Sequence, residues 1–225
     1  MVITTEMRFF IKMIHSLLFK DITEEEWLDM DRCGCMRQAH FSKGACIFRT
    51  GEIIQEIGIV LSGSINIENT DLWGSKSLLN NIAPGQLFGE SYALCREPIM
   101  VTAVTAEPSE ILFIKADILI NTQYKSKSWH CKITQNMLQI SLHKNLMLAN
   151  RIFCTTPKTI RGRLLLFLSE EAARAKSTTF RIPFNRQELA DYLNLDRSAL
   201  SKELGKMRDE GILTFHKNQF ILHFD

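Results

Sequence analysis

Glycine is unevenly spread along this chain, and its distribution limits the folds open to it. Seven of the eleven glycines lie between Gly44 and Gly89, and the next is Gly162. Gly44, Gly51, Gly58, Gly63, Gly74, Gly85 and Gly89 punctuate short β-prone runs such as Ile59-Val60-Leu61 and the alternating Ile65-Asn66-Ile67. Short strands at close spacing, with a turn signal between each, read as a sandwich or barrel. Residues 40–115 are therefore expected to form an antiparallel, jelly-roll-like β-roll. Ahead of it, Asp21 or Thr23 is placed to cap a helix through Glu24-Glu25-Glu26-Trp27-Leu28.

The run from Ser109 to Thr156 lacks Gly and Pro and is expected to be mostly helical. Ile133, Met137, Ile140 and Met147 recur in it at helical spacing, interrupted by Lys144, while Leu138, Leu142, Ala149 and Ile152 fall on a neighbouring face. Two apolar lines suggest two partners, the β-roll and another helix; one helix buried in a single core has the same pattern. Pro157 breaks the run and marks a domain boundary.

Beyond Pro157 the pattern changes. An amphipathic helix opens at Ile160 and ends near Ala175, and a short strand follows over Thr179–Pro183. Helices over Arg186–Leu193 and Arg197–Arg208 are separated only by Asn194-Leu195-Asp196. Asn194 tolerates the left-handed backbone of a sharp turn, and Asp196 is a good N-cap. Gly211 ends the second helix, and Ile212–Phe215 with Gln219–Leu222 make a hairpin around Lys217-Asn218. Two short helices, a tight turn and a hairpin describe a winged helix-turn-helix. Leu189, Ala190, Leu193, Leu200 and Leu204 supply its apolar positions, with Ala190 small where the helices cross. Arg197, Ser198, Ser201 and Lys202 form an exposed face able to reach base edges and phosphates in a major groove.

Charge agrees with that division. Residues 1–150 hold 14 Lys and Arg against 16 Asp and Glu, whereas residues 151–225 hold 13 against 9. A basic third on a mildly acidic remainder points to nucleic acid at the C-terminal end. With 45% hydrophobic and 23% charged residues, the composition is that of a packed globular protein. The longest stretch free of Asp, Glu, Lys and Arg is Ser77 to Gly89, which contains a Pro and two Gly, so no membrane span is expected. Phe9, Phe10, Ile11 and Ile14 make an apolar patch interrupted by Glu6, Arg8, Lys12 and His15 with no small-residue cleavage site after it. A secretory signal is not expected, and the chain is read as cytoplasmic.

From Leu17 to Phe224 the sequence resembles the Crp/Fnr superfamily of bacterial transcription regulators. The resemblance rests on Leu18-Phe19-Lys20-Asp21-Ile22-Thr23, Phe48-Arg49-Thr50-Gly51-Glu52, Ile59-Val60-Leu61-Ser62-Gly63-Ser64 and Pro84-Gly85-Gln86-Leu87-Phe88-Gly89-Glu90. It continues in Arg186-Gln187-Glu188-Leu189-Ala190, Leu200-Ser201-Lys202-Glu203-Leu204 and Glu210-Gly211-Ile212-Leu213. It implies an α+β chain with a sensing β-roll over 1–120, a dimerising and coupling helix over 121–156, and a winged helix-turn-helix over 157–225. It implies a homodimer on a two-fold duplex DNA operator, with RNA polymerase as a partner if binding activates. Ile133, Met137, Ile140 and Met147 are assigned to the symmetry mate. The family commonly reads a half-site with Arg, Glu and Arg, and the corresponding places here are Arg197, Ser198 and Lys202. Arg186, expected on phosphate, and Gln187 complete the DNA-binding set.

The resemblance also supplies a test for the effector. Phe88-Gly89-Glu90 matches the start of the family's cyclic-nucleotide cassette, in which Glu binds the ribose hydroxyl and an Arg-Ser pair ten residues on holds the phosphate. Those places are Met100 and Val101, and the adenine-contacting Thr-Ser of cyclic AMP-binding members falls at Leu148 and Ala149. A buried phosphate with no cationic fork or hydroxyl donors would be left unpaired, at a cost of several kcal/mol. The pocket is thus read against cyclic AMP and for an apolar organic effector, or none. Glu90 reads equally as a structural carboxylate.

Other chemistries find few residues. Cys33, Cys35 and Cys46 are the candidates for a metal or redox site, but an iron–sulfur cluster needs four thiolates and these do not assemble. Haem has only His40 in the roll, and that lone histidine also argues against a cupin-type metalloenzyme, which shares the roll but needs several inward ligands. A ligand-binding module alone would not need residues 157–225. No Gly-x-Ser-x-Gly, phosphate loop or His-Glu-x-x-His is present.

Overall fold

The computed structural model describes residues 16–70 and 76–223. The apolar N-terminal patch, Gly74 and Phe224 lie outside the described residues. The chain divides into two compact units, with the boundary between Ser141 and Leu142.

The first unit opens with a 3₁₀ turn over Leu17–Phe19 and helix α1 over Glu24–Arg32. Thr23 rather than Asp21 caps α1: its hydroxyl accepts the Glu26 N–H at 3.3 Å and Glu26 Oε2 accepts the Thr23 N–H at 3.0 Å. The same Oε2 accepts from Lys132 Nζ at 2.7 Å. Eight strands follow: β1 (Met36–Phe41), β2 (Cys46–Phe48), β3 (Glu56–Ser62), β4 (Ile65–Thr70), β5 (Lys76–Ile82), β6 (Leu87–Phe88), β7 (Thr102–Thr105) and β8 (Ser109–Lys115). They pair antiparallel in two four-stranded sheets, ordered β1-β8-β3-β6 and β2-β7-β4-β5. This is the expected β-roll. Phe41, Phe48, Phe88 and Phe113 contact one another ring to ring, with Phe48 and Phe88 centroids 5.6 Å apart. Gly58 pairs across with Phe88, whose ring would lie 2.3 Å from any Cβ placed on Gly58. A close approach of ring to backbone is what requires glycine there.

The Gly- and Pro-free run does not begin as helix. Ser109–Ile114 is buried at every position between β1 and β3, and a fully buried strand has no alternation to distinguish it from helix. Helix resumes as the short α3 (Asp117–Ile120) and then α4, which runs from Ser128 to Thr155. Between β6 and β7 lies the short helix α2 (Glu90–Cys95), entered through Gly89 at φ +78°. Strands buried on both faces need a second layer over the outer one. Trp129, Ile133, Met137 and Ile140 of α4 share the core of the roll with Trp27 and Met30 of α1. Ile133, Met137 and Ile140 are therefore not available to a symmetry mate, which corrects three of the four residues expected at a dimer interface. Asp29 anchors the root of α4, accepting from Lys127 Nζ at 2.9 Å and from the Trp129 indole N–H at 2.8 Å. Asn136 donates to the carbonyls of Leu18 and Lys20 at 3.0 and 2.8 Å.

The second unit takes in the C-terminal end of α4, then α5 (Ile160–Ala175), β9 (Thr179–Arg181), α6 (Arg186–Tyr192), α7 (Arg197–Asp209), β10 (Leu213–His216) and β11 (Gln219–Leu222). The three strands form one antiparallel sheet, β10-β11-β9, so the expected hairpin gains a third strand. Leu189, Ala190, Leu193, Leu200, Leu204, Met207 and Phe220 are buried in a core of their own. Among the described residues no helix is long and apolar enough to cross a membrane.

Candidate functional site

The helix-turn-helix is built by local chemistry at each joint. Asn185 Oδ1 accepts the N–H of Gln187 and of Glu188 at 2.9 and 3.0 Å, and Glu188 returns a carboxylate to the Asn185 N–H at 2.7 Å. This capping box starts α6. Asn194 takes the turn at φ +52°, the left-handed region its short polar side chain tolerates. Asp196 then caps α7, accepting the Ala199 N–H at 2.9 Å. Its carboxyl is held below the usual range, chiefly by the Ser198 hydroxyl and then by the Ala199 N–H.

Arginines brace the outside of the turn. Arg151, one turn before the end of α4, donates to the Tyr192 and Asp191 carbonyls at 3.1 and 3.0 Å and to Asn194 Oδ1 at 3.3 Å. Arg163 of α5 donates to the Leu193 and Asn194 carbonyls, both at 3.0 Å, and to the Pro157 carbonyl at 2.8 Å. Cations at a helix C-terminus satisfy carbonyls that have no partner within the helix. Arg161 reaches α7 instead, giving Nε to Glu203 at 2.7 Å and both Nη atoms to Glu210 at 2.7 and 2.8 Å. These carboxylates, Glu210 foremost, raise the Arg161 pKa, and Arg161 in turn lowers that of Glu210.

Of the expected DNA-facing residues, Arg197, Ser198, Ser201 and Lys202 are all exposed on α7. Ser198 is not a free donor, because its hydroxyl donates to the Asp196 carboxylate. Arg186 is half-buried and lies over wing rings, with Nη2 on the Lys217 carbonyl at 3.3 Å. It packs α6 against the wing, and burial lowers its pKa. Gln187 donates to Asp191 at 2.9 Å. Sequence reasoning missed Arg151, Arg161 and Arg163. It counted them as basic charge, although Glu203 and Glu210, seven apart on one helix, signal a common cationic partner.

In the first unit, Phe88 is buried and Gly89 leads into the short helix, where Glu90 is buried in the first turn. Arg96 closes that helix at φ +57° and its guanidinium turns to Asp117, 3.5 Å away. The Ile99 backbone is pinned to Gly51 and Glu52 by bonds of 2.7 and 2.9 Å. Met100 follows with 72% of its surface exposed, and Val101 is half-buried. No cation lies between Arg96 and β7. Leu148 and Ala149 belong to the other unit, exposed on α4.

The cysteine candidates do not converge. Cys35 is buried just before β1 with Sγ 3.1 Å from the Tyr124 hydroxyl, whereas Cys46 is exposed on β2 of the other sheet. Burial pushes the Cys33 thiol up, and burial beside Glu170 pushes Cys154 up to about 12, so neither is a ready thiolate. Among the described residues no three His, Cys, Asp or Glu side chains could hold a metal ion.

Comparison with known families matches residues 38–122 to the cyclic nucleotide-binding domain and residues 162–224 to the Crp-like helix-turn-helix domain. The chain belongs to the Crp/Fnr family. The cyclic AMP receptor protein of Thermus thermophilus is 25% identical over 174 residues, 77% of each chain. A CRP-like cAMP-activated global transcriptional regulator of Mycobacterium tuberculosis is 22% identical over 78% of this chain and 79% of that one. Among solved structures, CprK complexed with OCPA superposes with a TM-score of 0.60 at 20% identity, covering 89% of this chain and 92% of that one, which shows the shared fold. A Crp/Fnr chain is a DNA-binding transcription regulator rather than an enzyme, and α6, α7 and the three-stranded wing lie within the matched helix-turn-helix domain.

Proposed function

We propose that the protein is a homodimeric, sequence-specific regulator whose β-roll answers to an effector other than cyclic AMP. The roll with its N-terminal helices, residues 1–120, senses; residues 121–156 dimerise and couple; residues 157–225 bind DNA. On α7, Arg197, Ser201 and Lys202 read bases and phosphates, while Arg186 and Ser198 shape the reading surface. The observation that carries the effector reading is the segment after the short helix. Met100 and Val101 stand where a phosphate grip belongs, and the cation that precedes them in the sequence, Arg96, is paired with Asp117. A cyclic phosphate there would meet no donor of the required charge. An apolar organic molecule, with a hydroxyl or amine for Glu90, suits the site better.

Dimerisation belongs to the second apolar line of α4. Leu138, Leu142, Ala149 and Ile152 are all exposed, and with Asn145 they keep the alternating four- and three-residue spacing of a coiled-coil seam. A polar Asn within such a seam selects one register. Titration calorimetry with cyclic AMP and sedimentation of the isolated protein test the two halves together. The expected result is a dimer that gives no heat with millimolar cyclic AMP and no change in DNA affinity. Micromolar binding that tightens DNA affinity would overturn the effector reading, and a monomer that binds DNA would overturn the dimer.

A further inference from the structure

The segment Asp196–Glu210, which comprises α7 and its two caps, carries as many acidic as basic side chains. Such a helix offers no net attraction to phosphate unless its carboxylates are neutralised from elsewhere. Arg161 does this for two of them. Its guanidinium, reaching from the first turn of α5, takes Glu203 through Nε and Glu210 through both Nη atoms. A fork-on-carboxylate pair is the strongest geometry open to an arginine. With Arg161 in place, Lys206 Nζ stays 3.9 Å from Glu203 and mostly exposed. Without it, Lys206 would have Glu203 three residues before it and Glu210 four after it, both positions within side-chain reach on a helix.

We propose that Arg161 is a positioning residue for DNA binding, holding Glu203 and Glu210 so that Lys206, in no more than a long 3.9 Å pair with Glu203, can turn to phosphate. Arg161 acts through those two carboxylates and does not itself touch DNA. This goes beyond the proposed division of base and phosphate contacts but rests on α7 being the DNA-facing helix.

The test is the salt dependence of binding to a fluorescein-labelled, mixed-sequence duplex, read by anisotropy, with thermal melts to confirm folding. Arg161→Gln should shallow the slope of log K against log salt by about 0.9, the value for one phosphate contact, and weaken binding about tenfold at low salt. Adding Glu203→Gln and Glu210→Gln to that variant should restore the slope and most of the affinity, although the arginine is still missing. A triple variant no better than Arg161→Gln would overturn the proposal, since it would mean a phosphate contact or a purely structural brace. If Arg161→Gln does not fold, the Glu203→Gln/Glu210→Gln pair with Arg161 intact decides: binding at least as tight as wild type supports the proposal, and weaker binding overturns it. A wild-type protein that fails to bind duplex DNA would overturn the DNA-facing reading of α7, and this inference with it.

Discussion

The guanidinium of Arg186 lies 5.0 Å from the centre of the Phe215 ring, joining α6 to β10 across the wing. Phe220 stands 5.9 Å from the same group, and Phe215 and Phe220 stack on each other. A partly desolvated cation over an aromatic face contributes about 0.5–2 kcal/mol. Arg186→Ala should therefore lower the unfolding free energy by about 1–2 kcal/mol in urea melts. The salt slope of DNA binding should not change. A slope shallower by one contact would put Arg186 back on phosphate.

Arg197 is exposed and makes no ion pair among the described residues. Its replacement by Ala should cost about 1–3 kcal/mol of operator affinity and flatten discrimination at one base position. Binding to a set of single-base operator variants measures this. Equal loss at every position would mark Arg197 as a phosphate contact instead.

The two lines of α4 should respond differently to charge. Ile140→Glu buries a carboxylate in the core of the roll and should destabilise the first unit by more than about 3 kcal/mol. Leu142→Glu with Ile152→Glu should leave the melting temperature of each unit close to wild type while the protein sediments as a monomer. Folded dimers from that double variant would place the interface elsewhere.

Asp29 gives a pH signature. The Lys127 ammonium and then the Trp129 indole hold its carboxyl below the ordinary value. A lowered folded pKa means stability that is fully present above the unfolded value, near pH ~3.9, and lost as pH falls through the lower folded one. Wild type should thus melt above Asp29→Asn at pH ~6, and the two curves should converge once pH has fallen below the lowered folded value. A gap that persists in acid would assign the difference to packing.

Much of this architecture is legible in the sequence because it is written in local chemistry. Thr23 with Glu26, Asn194 and Asp196 each act on backbone within a few residues, so their roles follow from neighbours alone. The face of α4 that meets the roll is not local. Ile133 and Leu138 are both apolar at helical spacing, and only the doubly buried β3 and β8 decide that the first is core and the second exposed. The arginines fail for a related reason. Counting charge places Arg151, Arg161 and Arg163 in a basic third of the chain, yet their direction depends on helix ends and carboxylates 30 to 49 residues away. The basic excess of the C-terminal unit is therefore partly internal.

Glu26 Oε2 receives both the Thr23 N–H and the Lys132 ammonium, so one atom closes the first turn of α1 and fastens the root of α4. The two helices thus share a fastening at this carboxylate. Their amides should then admit deuterium in a single opening event, with one free energy, rather than fraying from two separate ends. The pinned stretch is the start of the helix that leads out of the roll, so its first turns enter any motion of α4 as a rigid root, and bending must begin further along.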